Sequence, residues 1–251
     1  MLHARKLRRR AQRDAAGEFL IEGPIAVAEA LGSGVLVSEV FASEQAAPDV
    51  LDRVESAGVR LHRVTEQVID AISEAVTPQG VVGVASMPAT TLDDLVGGDL
   101  VVVLDEVSDP GNAGTLVRSA LAAGAQGVVF CRGSVDPFGA KTVRSSSGTI
   151  LRLPVVRDEA LSDVCSRLRS DGFRIIGGDA EASAAADESD LTGRVALVLG
   201  NEARGLSASS RDLVDETVRI SMPGPVESLN VAVAGSILLF ECIRQRKGSG
   251  A

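Results

Sequence analysis

The length and composition describe a globular protein of 251 residues, of which 45% are hydrophobic and 24% charged, with a formal net charge of −9. Three widely spaced cysteines, Cys131, Cys165 and Cys242, match neither a disulfide framework nor a zinc pattern, which indicates a reducing, cytoplasmic environment. No run approaches the roughly 18 apolar residues of a membrane span, and the basic amino terminus lacks the apolar block of a secretory signal.

Apolar periodicity in the first ninety residues predicts a small α/β domain. The predicted strands are 19–21, 37–41, 59–64 and 80–85. The predicted helices are 24–31, which opens with a proline, 49–57, and 65–75, which Thr65 would cap. Proline, small polar residues and glycine then interrupt both periods. We therefore predict a first domain over 1–88 and a linker over 89–98.

A second alternating series predicts an α/β domain over 99–251, with a mostly parallel sheet and helices on both faces. The predicted strands are 100–104, 128–131, 154–156, 173–176, 195–199 and 218–220. The predicted helices are 115–123 and segments near 159–169, 208–214 and 229–246. Residues 181–190 are rich in Ala, Ser and acids, which predicts a surface connection, and 247–251 read as a frayed tail.

Positive charge is concentrated in two zones of an acidic chain. Residues 1–13 have six basic side chains and no acid, whereas 14–96 have 3 basic and 14 acidic ones. Residues 118–157 have six basic side chains against the single acid Asp136. Two basic zones on an acidic body favour binding to a polyanion. A solvated or targeting tail is the alternative interpretation of the first zone, the basic arm.

Histidine chemistry is hard to place in the second domain. The only histidines are His3 and His62, and the chain has no Trp or Tyr. A Ser-His-Asp triad, a His-rich metal site or a Tyr-Lys redox pair therefore lacks its residues there. Three glycine-containing loops instead follow predicted strands, and open α/β sheets bind ligands at the carboxyl ends of parallel strands.

The three loops combine turn-forming residues with polar side chains near a helix start. In the first, 104–120, Asn112 is a candidate helix cap and Arg118 lies nearly two turns later. Gly111 and Gly114 lack the third glycine of a dinucleotide-binding fingerprint, which argues against an oxidoreductase. The second loop is 199–207, and the third, 220–234, ends on two polar residues before an apolar helix. Taken singly, each loop also fits a plain structural turn.

Together and in this order, the loops resemble the three motifs of the SpoU family of RNA ribose 2′-O-methyltransferases, within the SPOUT class. The resemblance covers nearly the whole chain. Residues 17–23 and 77–80 resemble the family's amino-terminal RNA-binding domain, and 141–148 resemble a further segment of its catalytic domain. The resemblance implies a trefoil knot in the second domain, S-adenosylmethionine as methyl donor without a metal, and a homodimer with its active site at the subunit interface.

The resemblance also implies roles for individual residues. The expected catalytic residues are Arg118, Asn112, Glu202, Ser228 and Asn230. The expected cofactor contacts are Leu199, Gly200, Asn201, Gly205, Ile220, Met222, Pro223, Ser228 and Leu229. With the basic zones, the expected RNA contacts are Arg5, Lys6, Arg8, Arg9, Arg10, Arg13, Arg118, Lys141 and Arg144. A guanidinium stays protonated at neutral pH, so we expect Arg118 to grip a substrate phosphate and polarise the ribose hydroxyl.

The expected substrate is 23S ribosomal RNA, because an extra RNA-binding domain is common among ribosomal members of this family. Transfer RNA is the alternative substrate, and housekeeping and antibiotic-resistance roles fit the motifs equally. A non-catalytic RNA-binding or ribosome-assembly factor is the alternative function. The presence of all five expected catalytic residues disfavours that alternative.

Overall fold

The computed structural model describes residues 1–248, which form two compact units. Unit 1 comprises Met1–Ala89 and Asp136–Arg152, and unit 2 comprises Thr90–Val135 and the chain from Leu153 onward. The sequence assigned 136–152 to the second domain, whereas they group with unit 1, and residues 90–98 of the predicted linker group with unit 2.

Strands and helices alternate along most of the described chain. The strands are β1 (Glu18–Glu22), β2 (Val37–Ala42), β3 (Arg60–Arg63), β4 (Val81–Ser86), β5 (Leu100–Leu104), β6 (Gly127–Cys131), β7 (Val155–Glu159), β8 (Arg174–Gly178), β9 (Ala184–Ala185), β10 (Val195–Leu199) and β11 (Glu216–Arg219). The helices are α1 (Leu2–Lys6), α2 (Arg10–Ala16), α3 (Pro24–Ser33), α4 (Pro48–Ser56), α5 (Glu66–Ile72), α6 (Pro110–Ala122), α7 (Ala140–Ser145), α8 (Leu161–Ser170), α9 (Ala208–Arg211) and α10 (Val231–Gly248). Short 3-10 helices span Leu92–Leu95 and Thr149–Leu151.

Several elements differ from the sequence prediction. Helices α1, α2 and α7 and the short strand β9 were not predicted. Helix α6 begins at Pro110, because the side chain of Asp109 accepts the N–H of Asn112 at 2.9 Å and caps the helix. Asn112 is therefore the third residue of α6 and not its cap. Helix α10 continues to Gly248, so the predicted frayed tail is helical at its start, and its last three residues lie outside the described residues.

Unit 1 is built on a four-stranded mixed sheet in the order β1-β4-β2-β3. Strand β4 is antiparallel to β1 and β2, whereas β2 and β3 are parallel. The basic arm belongs to this unit, because Ala4 of α1 and Leu7, which directly follows α1, are buried in its hydrophobic core. The arm is therefore a pair of packed helices and not a loose tail.

Arg13, a predicted RNA contact, is buried and used within unit 1. Its Nη1 donates to the carbonyls of Leu7 at 2.8 Å and Arg8 at 3.0 Å, and its Nε donates to Asp136 Oδ2 at 3.2 Å. Its Nη2 forms an ion pair with the same Asp136 oxygen, so two N–H groups of Arg13 converge on Oδ2. The guanidinium of Arg13 is consequently not presented to solvent, which corrects its predicted role.

Aromatic and ionic contacts account for the place of 136–152 in unit 1. The ring centroid of Phe138 lies 4.9 Å from that of Phe19 on β1. Arg144 Nη1 on α7 donates to Glu22 Oε2 at the end of β1 at 2.8 Å. These partners lie more than a hundred residues apart in sequence, so local patterns contain no signal for them.

Unit 2 confirms the predicted parallel sheet, which has the order β7-β6-β5-β10-β8-β11-β9 with all neighbours parallel. Every residue of the central strands β5 and β10 is buried. On one face of the sheet, Val198 packs against side chains of α8. On the other face, Leu199 lies so close to Gly235 of α10 that a Cβ at position 235 would collide with it. Helices thus cover both faces. The strand order reverses between β5 and β10, which is where such sheets bind ligands.

No helix within residues 1–248 is long and apolar enough to cross a membrane.

The buried Arg13 generates a prediction about stability. The side chains of Arg13 and Asp136 are 7% and 10% exposed. In Arg13→Ala the carboxylate would stay buried without its partner, so we expect a loss of roughly 3–5 kcal/mol in the free energy of unfolding. Urea unfolding followed by circular dichroism measures it, since the chain has no Trp or Tyr.

Arg63→Ala is the matched control, because Arg63 pairs with Glu55 at 3.3 Å with both side chains about 60% exposed. Such a surface pair contributes less than about 1 kcal/mol. Equal losses in the two variants would contradict a structural role for Arg13.

Candidate active site at the carboxyl ends of the parallel strands

A cavity of about 670 Å³ lies at the carboxyl ends of β8, β10 and β11 in unit 2. Its size lies within the range of cofactor pockets. Eight of the nine expected cofactor contacts line it, and Pro223 does not. The eight are Leu199, Gly200, Asn201, Gly205, Ile220, Met222, Ser228 and Leu229.

The second motif loop forms a closed turn in the cavity wall. Asn201 and Gly205 exchange backbone N–H···O bonds of 3.0 and 2.8 Å. A Cβ on Gly200 would lie 2.4 Å from the carbonyl carbon and oxygen of Gly205, so the close approach requires glycine. Gly205 itself has φ +63°, a left-handed conformation that favours glycine. The backbone geometry of the loop therefore explains both of its glycines.

Glu202 joins this second loop to the first. Its Oε1 accepts the backbone N–H of Asp109 at 2.8 Å, and its Oε2 accepts the backbone N–H and the hydroxyl of Ser108 at 3.1 and 2.9 Å. Asn112 Nδ2 donates to Oε1 at 3.2 Å. One carboxylate therefore binds four donors from a loop 90 to 94 residues earlier in the chain.

The pKa of Glu202 reflects these donors. Burial by itself would raise the pKa, but hydrogen bonds from the backbone of Asp109, Glu202 and Ser108 and from the side chain of Asn112 outweigh it and lower the pKa to about 2. The carboxylate is therefore ionised at neutral pH. Its oxygens are already used by donors of the protein, which suits an anchor better than a general base.

The third loop is joined to the same network through Asn230. Asn230 Nδ2 donates to Asn112 Oδ1 at 2.9 Å, while Asn230 Oδ1 accepts the backbone N–H of Ala232 at 2.9 Å and of Val233 at 3.2 Å. Asn230 is thus the N-cap of α10. A continuous chain of hydrogen bonds, Asn230 to Asn112 to Glu202, connects all three motif loops.

Sequence reasoning missed a further wall of the cavity. Gly178, the last residue of β8, lines the cavity together with the segment 179–181 that follows it, as does Arg211 of α9. Asp179 Oδ2 accepts from Arg211 Nε at 2.6 Å. The sequence contained one signal for this wall, because the segment follows a predicted parallel strand and open α/β sheets bind ligands at the carboxyl ends of such strands.

A buried carboxyl group at the end of β5 also went unpredicted. Burial raises the pKa of Asp105, against the hydrogen bond that Ser210 Oγ donates to it at 2.6 Å. This contact joins the end of β5 to α9, next to the cavity. No group of three or more potential metal ligands occurs within residues 1–248.

The structure does not bring Arg118 to the cavity of its own chain. Arg118 is not a lining residue; it lies on the exposed face of α6 and has no hydrogen-bond or ion-pair partner among the described residues. Ser228, in contrast, lines the cavity and is exposed. Apart from Arg13, the expected RNA contacts in unit 1 are exposed: Arg5, Lys6, Arg8, Arg9, Arg10, Lys141 and Arg144.

Comparisons with known proteins cover both halves of the chain. The model of the SpoU rRNA Methylase family matches residues 99–240, and that of an MRM3-like substrate binding domain matches residues 3–83. The chain is 35% identical over 237 residues to the 23S rRNA (guanosine(2553)-2′-O)-methyltransferase RlmP of Bacillus subtilis, which covers 94% of this chain and 92% of that protein.

Two further similarities concern a second relative and a solved structure. The 23S rRNA (guanosine-2′-O-)-methyltransferase RlmB of Xylella fastidiosa is 39% identical over 206 residues, covering 79% of this chain and 83% of RlmB. The SpoU methyltransferase AviRb of Streptomyces viridochromogenes, in complex with the cofactor AdoMet, superposes with a TM-score of 0.88 at 31% identity, covering 97% of this chain and 96% of AviRb.

Glu202→Gln tests the anchoring carboxylate. The amide loses the charge and places an NH2 group opposite N–H donors, so we expect the free energy of unfolding to fall by about 1–3 kcal/mol at pH 7. Because the folded pKa of about 2 lies below the ordinary 4.5, the contribution is present above about pH 4.5 and is lost as the pH falls toward 2. Urea unfolding at a series of pH values should therefore show the difference from the wild type shrinking through that window.

Glu227→Gln is the control for this prediction. Glu227 lines the same cavity and is exposed, and it has no hydrogen-bond partner among residues 1–248. We expect this variant to match the wild type at every pH. A pH-independent loss in Glu202→Gln would show that the ionised form of Glu202 is not what stabilises the loops.

Proposed function

Because the chain belongs to the SpoU rRNA methylase family, we propose that it methylates the 2′-hydroxyl of a ribose in 23S ribosomal RNA, in the cytoplasm. It is an RNA ribose methyltransferase that uses S-adenosylmethionine. Family membership also supports the trefoil knot expected in unit 2. The observation that carries the proposal is the Asn230–Asn112–Glu202 chain, which joins the first motif loop to the second and third loops, and those two loops line the cavity.

The cavity fits a nucleoside cofactor. Leu199, Ile220 and Leu229 supply apolar walls, and the glycine at position 200 lets the backbone approach closely where a Cβ would collide. Backbone groups near Ser228 lie at the same wall. When bound there, S-adenosylmethionine supplies an electrophilic methyl group.

The polar chain beside the cavity positions the reacting groups. Glu202 holds the amide of Asn112, and Asn230 holds the opposite end of the same amide, so Asn112 has one fixed orientation. We assign Glu202 a positioning role, since its oxygens already accept protein donors. A fixed polar edge next to the cofactor lowers the entropic cost of aligning the ribose hydroxyl with the methyl group.

A homodimer would complete this site. On α10, Val233, Ile237 and Phe240 are 48%, 43% and 51% exposed and follow one another at helical spacing. Such an exposed apolar stripe favours burial against a second copy. Helix α6 packs beside α10, since Ser119 Oγ lies 2.7 Å from Ser236 Oγ.

The position of Arg118 follows from this arrangement. Its exposed guanidinium belongs to α6, next to the apolar stripe of α10, and outside the cavity of its own chain. We therefore infer that Arg118 of one protomer reaches the cavity of the other. There the guanidinium would bind the phosphate beside the target ribose and polarise the 2′-hydroxyl by donating a hydrogen bond to its oxygen.

The substrate proposal rests on likeness along the whole chain. RlmP covers 94% of this chain, including both units, and the amino-terminal match is to a substrate-binding domain. The names of RlmP and RlmB specify 23S rRNA and not transfer RNA, the alternative substrate. Methylation of purified 23S transcripts, with transfer RNA as the second substrate, tests the choice directly.

Arg118→Ala tests the catalytic assignment. We expect methylation of 23S RNA to fall at least a hundredfold, because a charged donor at the reacting group is removed. Binding of S-adenosylmethionine, measured by calorimetry, should stay within about twofold, since we place the Arg118 guanidinium on the RNA phosphate and not on the cofactor. Methylation near the wild-type rate would contradict the assignment.

A mixed dimer separates action in the same subunit from action across the interface. When Arg118→Ala is co-expressed with Glu202→Gln and the heterodimer is purified by two tags, action across the interface leaves one intact site. About half of the wild-type activity should then return. A heterodimer without activity would place Arg118 in the site of its own subunit.

The exposed face of the basic arm generates a further prediction. Arg5, Lys6 and Arg9 are exposed and have no side-chain partner among residues 1–248. Replacing all three by Gln, a good helix former, should weaken RNA binding and lower the slope of log affinity against log salt by about two to three. The double variant Arg53→Gln with Arg60→Gln, at exposed positions of the acidic part of unit 1, should leave the slope unchanged. Equal slopes in all three proteins would show that the arm does not contact RNA.

A further inference from the structure

A second bridge joins the first two motif loops beside the cavity. Arg204 Nη2 donates to Glu106 Oε2 at 2.9 Å. Arg204 lines the cavity, yet its side chain is 73% exposed and that of Glu106 is 48% exposed. A single exposed ion pair contributes little to folding stability. A contribution to folding stability therefore does not explain the arginine at position 204.

Both members of the pair are held by ordered backbone. Asn201 Oδ1 accepts the N–H groups of Ala203 at 3.0 Å and Arg204 at 3.3 Å, which fixes the turn. Asn201 Nδ2 donates to the carbonyl of Glu106 at 2.9 Å. Glu106 has φ +58°, which a residue with a side chain rarely adopts, and such conformations concentrate at functional sites. The guanidinium is thus presented from a defined position.

The other arginines of the cavity are already occupied. Arg211 donates to Asp179 at 2.6 Å and to Glu181 at 3.3 Å. Arg219 donates to two backbone carbonyls of the segment 182–183. Arg204, in contrast, uses one of its five N–H donors within the part of the chain that the structure describes. Its remaining N–H groups can donate two hydrogen bonds to one anion.

The loop also places Arg204 near the expected reaction. Arg204 lies two residues from Glu202, which holds Asn112 at the edge of the cavity. A phosphate bound by Arg204 would therefore stand beside the ribose that these residues position. Arginine suits this task because its planar guanidinium matches two phosphate oxygens.

We propose that Arg204 binds a phosphate of the RNA backbone next to the target ribose, and that Glu106 holds its guanidinium in place until RNA arrives. The inference rests on the proposed function, because the phosphate belongs to the RNA substrate. It assigns the second motif loop a substrate contact in addition to its part in the cavity wall. Arg204 is distinct from Arg118, which lies on α6.

Variants at the two ends of the ion pair distinguish a phosphate contact from a brace. Arg204→Ala should raise KM for a 23S RNA fragment by about three- to tenfold and lower the salt slope of RNA affinity by about one, with kcat within twofold. Glu106→Gln removes a negative charge beside the phosphate and should lower KM by about two- to threefold. If the pair were only a brace, both variants would break it and would shift KM in the same direction.

Arg169→Ala is the matched control. Arg169 forms an ion pair with Asp215 at 2.7 Å with side chains 45% and 39% exposed, and it lies on α8, outside the cavity lining. Like Arg204→Ala, this substitution removes one positive charge from unit 2. It should leave the KM for RNA and the salt slope of RNA affinity unchanged. Binding of S-adenosylmethionine by all variants should match the wild type within twofold, which verifies the fold of the cavity.

The outcomes separate the two proposals. If the wild type methylates 23S RNA and Arg204→Ala keeps its KM and salt slope, Arg204 does not contact phosphate, and the proposed function stands. A shift of KM in the same direction for Arg204→Ala and Glu106→Gln would also overturn the inference. If the wild type methylates no RNA while binding S-adenosylmethionine, the proposed function fails before Arg204 is tested.

Discussion

The carboxylate of Glu202 is the interaction on which the geometry of the site depends. Parallel strands bring the motif loops to one edge of the sheet, but their hydrogen-bond ladders end where the loops begin. Beyond that point, four donors from Ser108, Asp109 and Asn112 converge on Glu202. An ionised acceptor forms stronger hydrogen bonds than a neutral one. The pKa of Glu202 is lowered because the donors of the first loop stabilise its ionised carboxylate.

Asn230 shows why the third loop needs one particular side chain. Its oxygen accepts from two N–H groups at the start of α10, and its nitrogen donates to Asn112. Aspartate would cap the helix but has no donor for the Asn112 oxygen, and serine is too short to serve both ends. The same amide thus ends the loop, begins the helix and orients its neighbour. The same side chain is therefore needed both to start the helix and to align the residues of the site.

Sequence patterns were sufficient where structure is local and insufficient where it is not. The apolar runs of β5 and β10 predicted buried parallel strands, because a strand covered on both faces buries every side chain. The helices of the basic arm were not predicted, although the spacing of Ala4 and Leu7 is that of one buried helix face. The pairing of Arg13 with Asp136 spans 123 residues, and no local pattern contains it.

The start of helix α6 determines what the side chain of Asn112 can do. Asp109 followed by a proline is a stronger N-cap signal than Asn112, the candidate cap predicted from the sequence. With the helix beginning earlier, Asn112 is free to use its side chain on Glu202 and Asn230. We propose that Arg118 acts in the cavity of a second copy of the chain, and periodicity within a single sequence does not predict such a contact.

The arginines of this acidic chain differ in how many donors the fold has already used. Arg194 donates to several backbone carbonyls and lies over the ring of Phe173 at 4.4 Å, and Arg13 is buried against Asp136. These guanidiniums are structural cross-links. Arg118 has no partner among the described residues, and Arg204 has one, so both retain donors for an anion. Net charge counts all arginines equally, whereas RNA meets only those with donors to spare, which is why a charge of −9 is compatible with a polyanionic substrate.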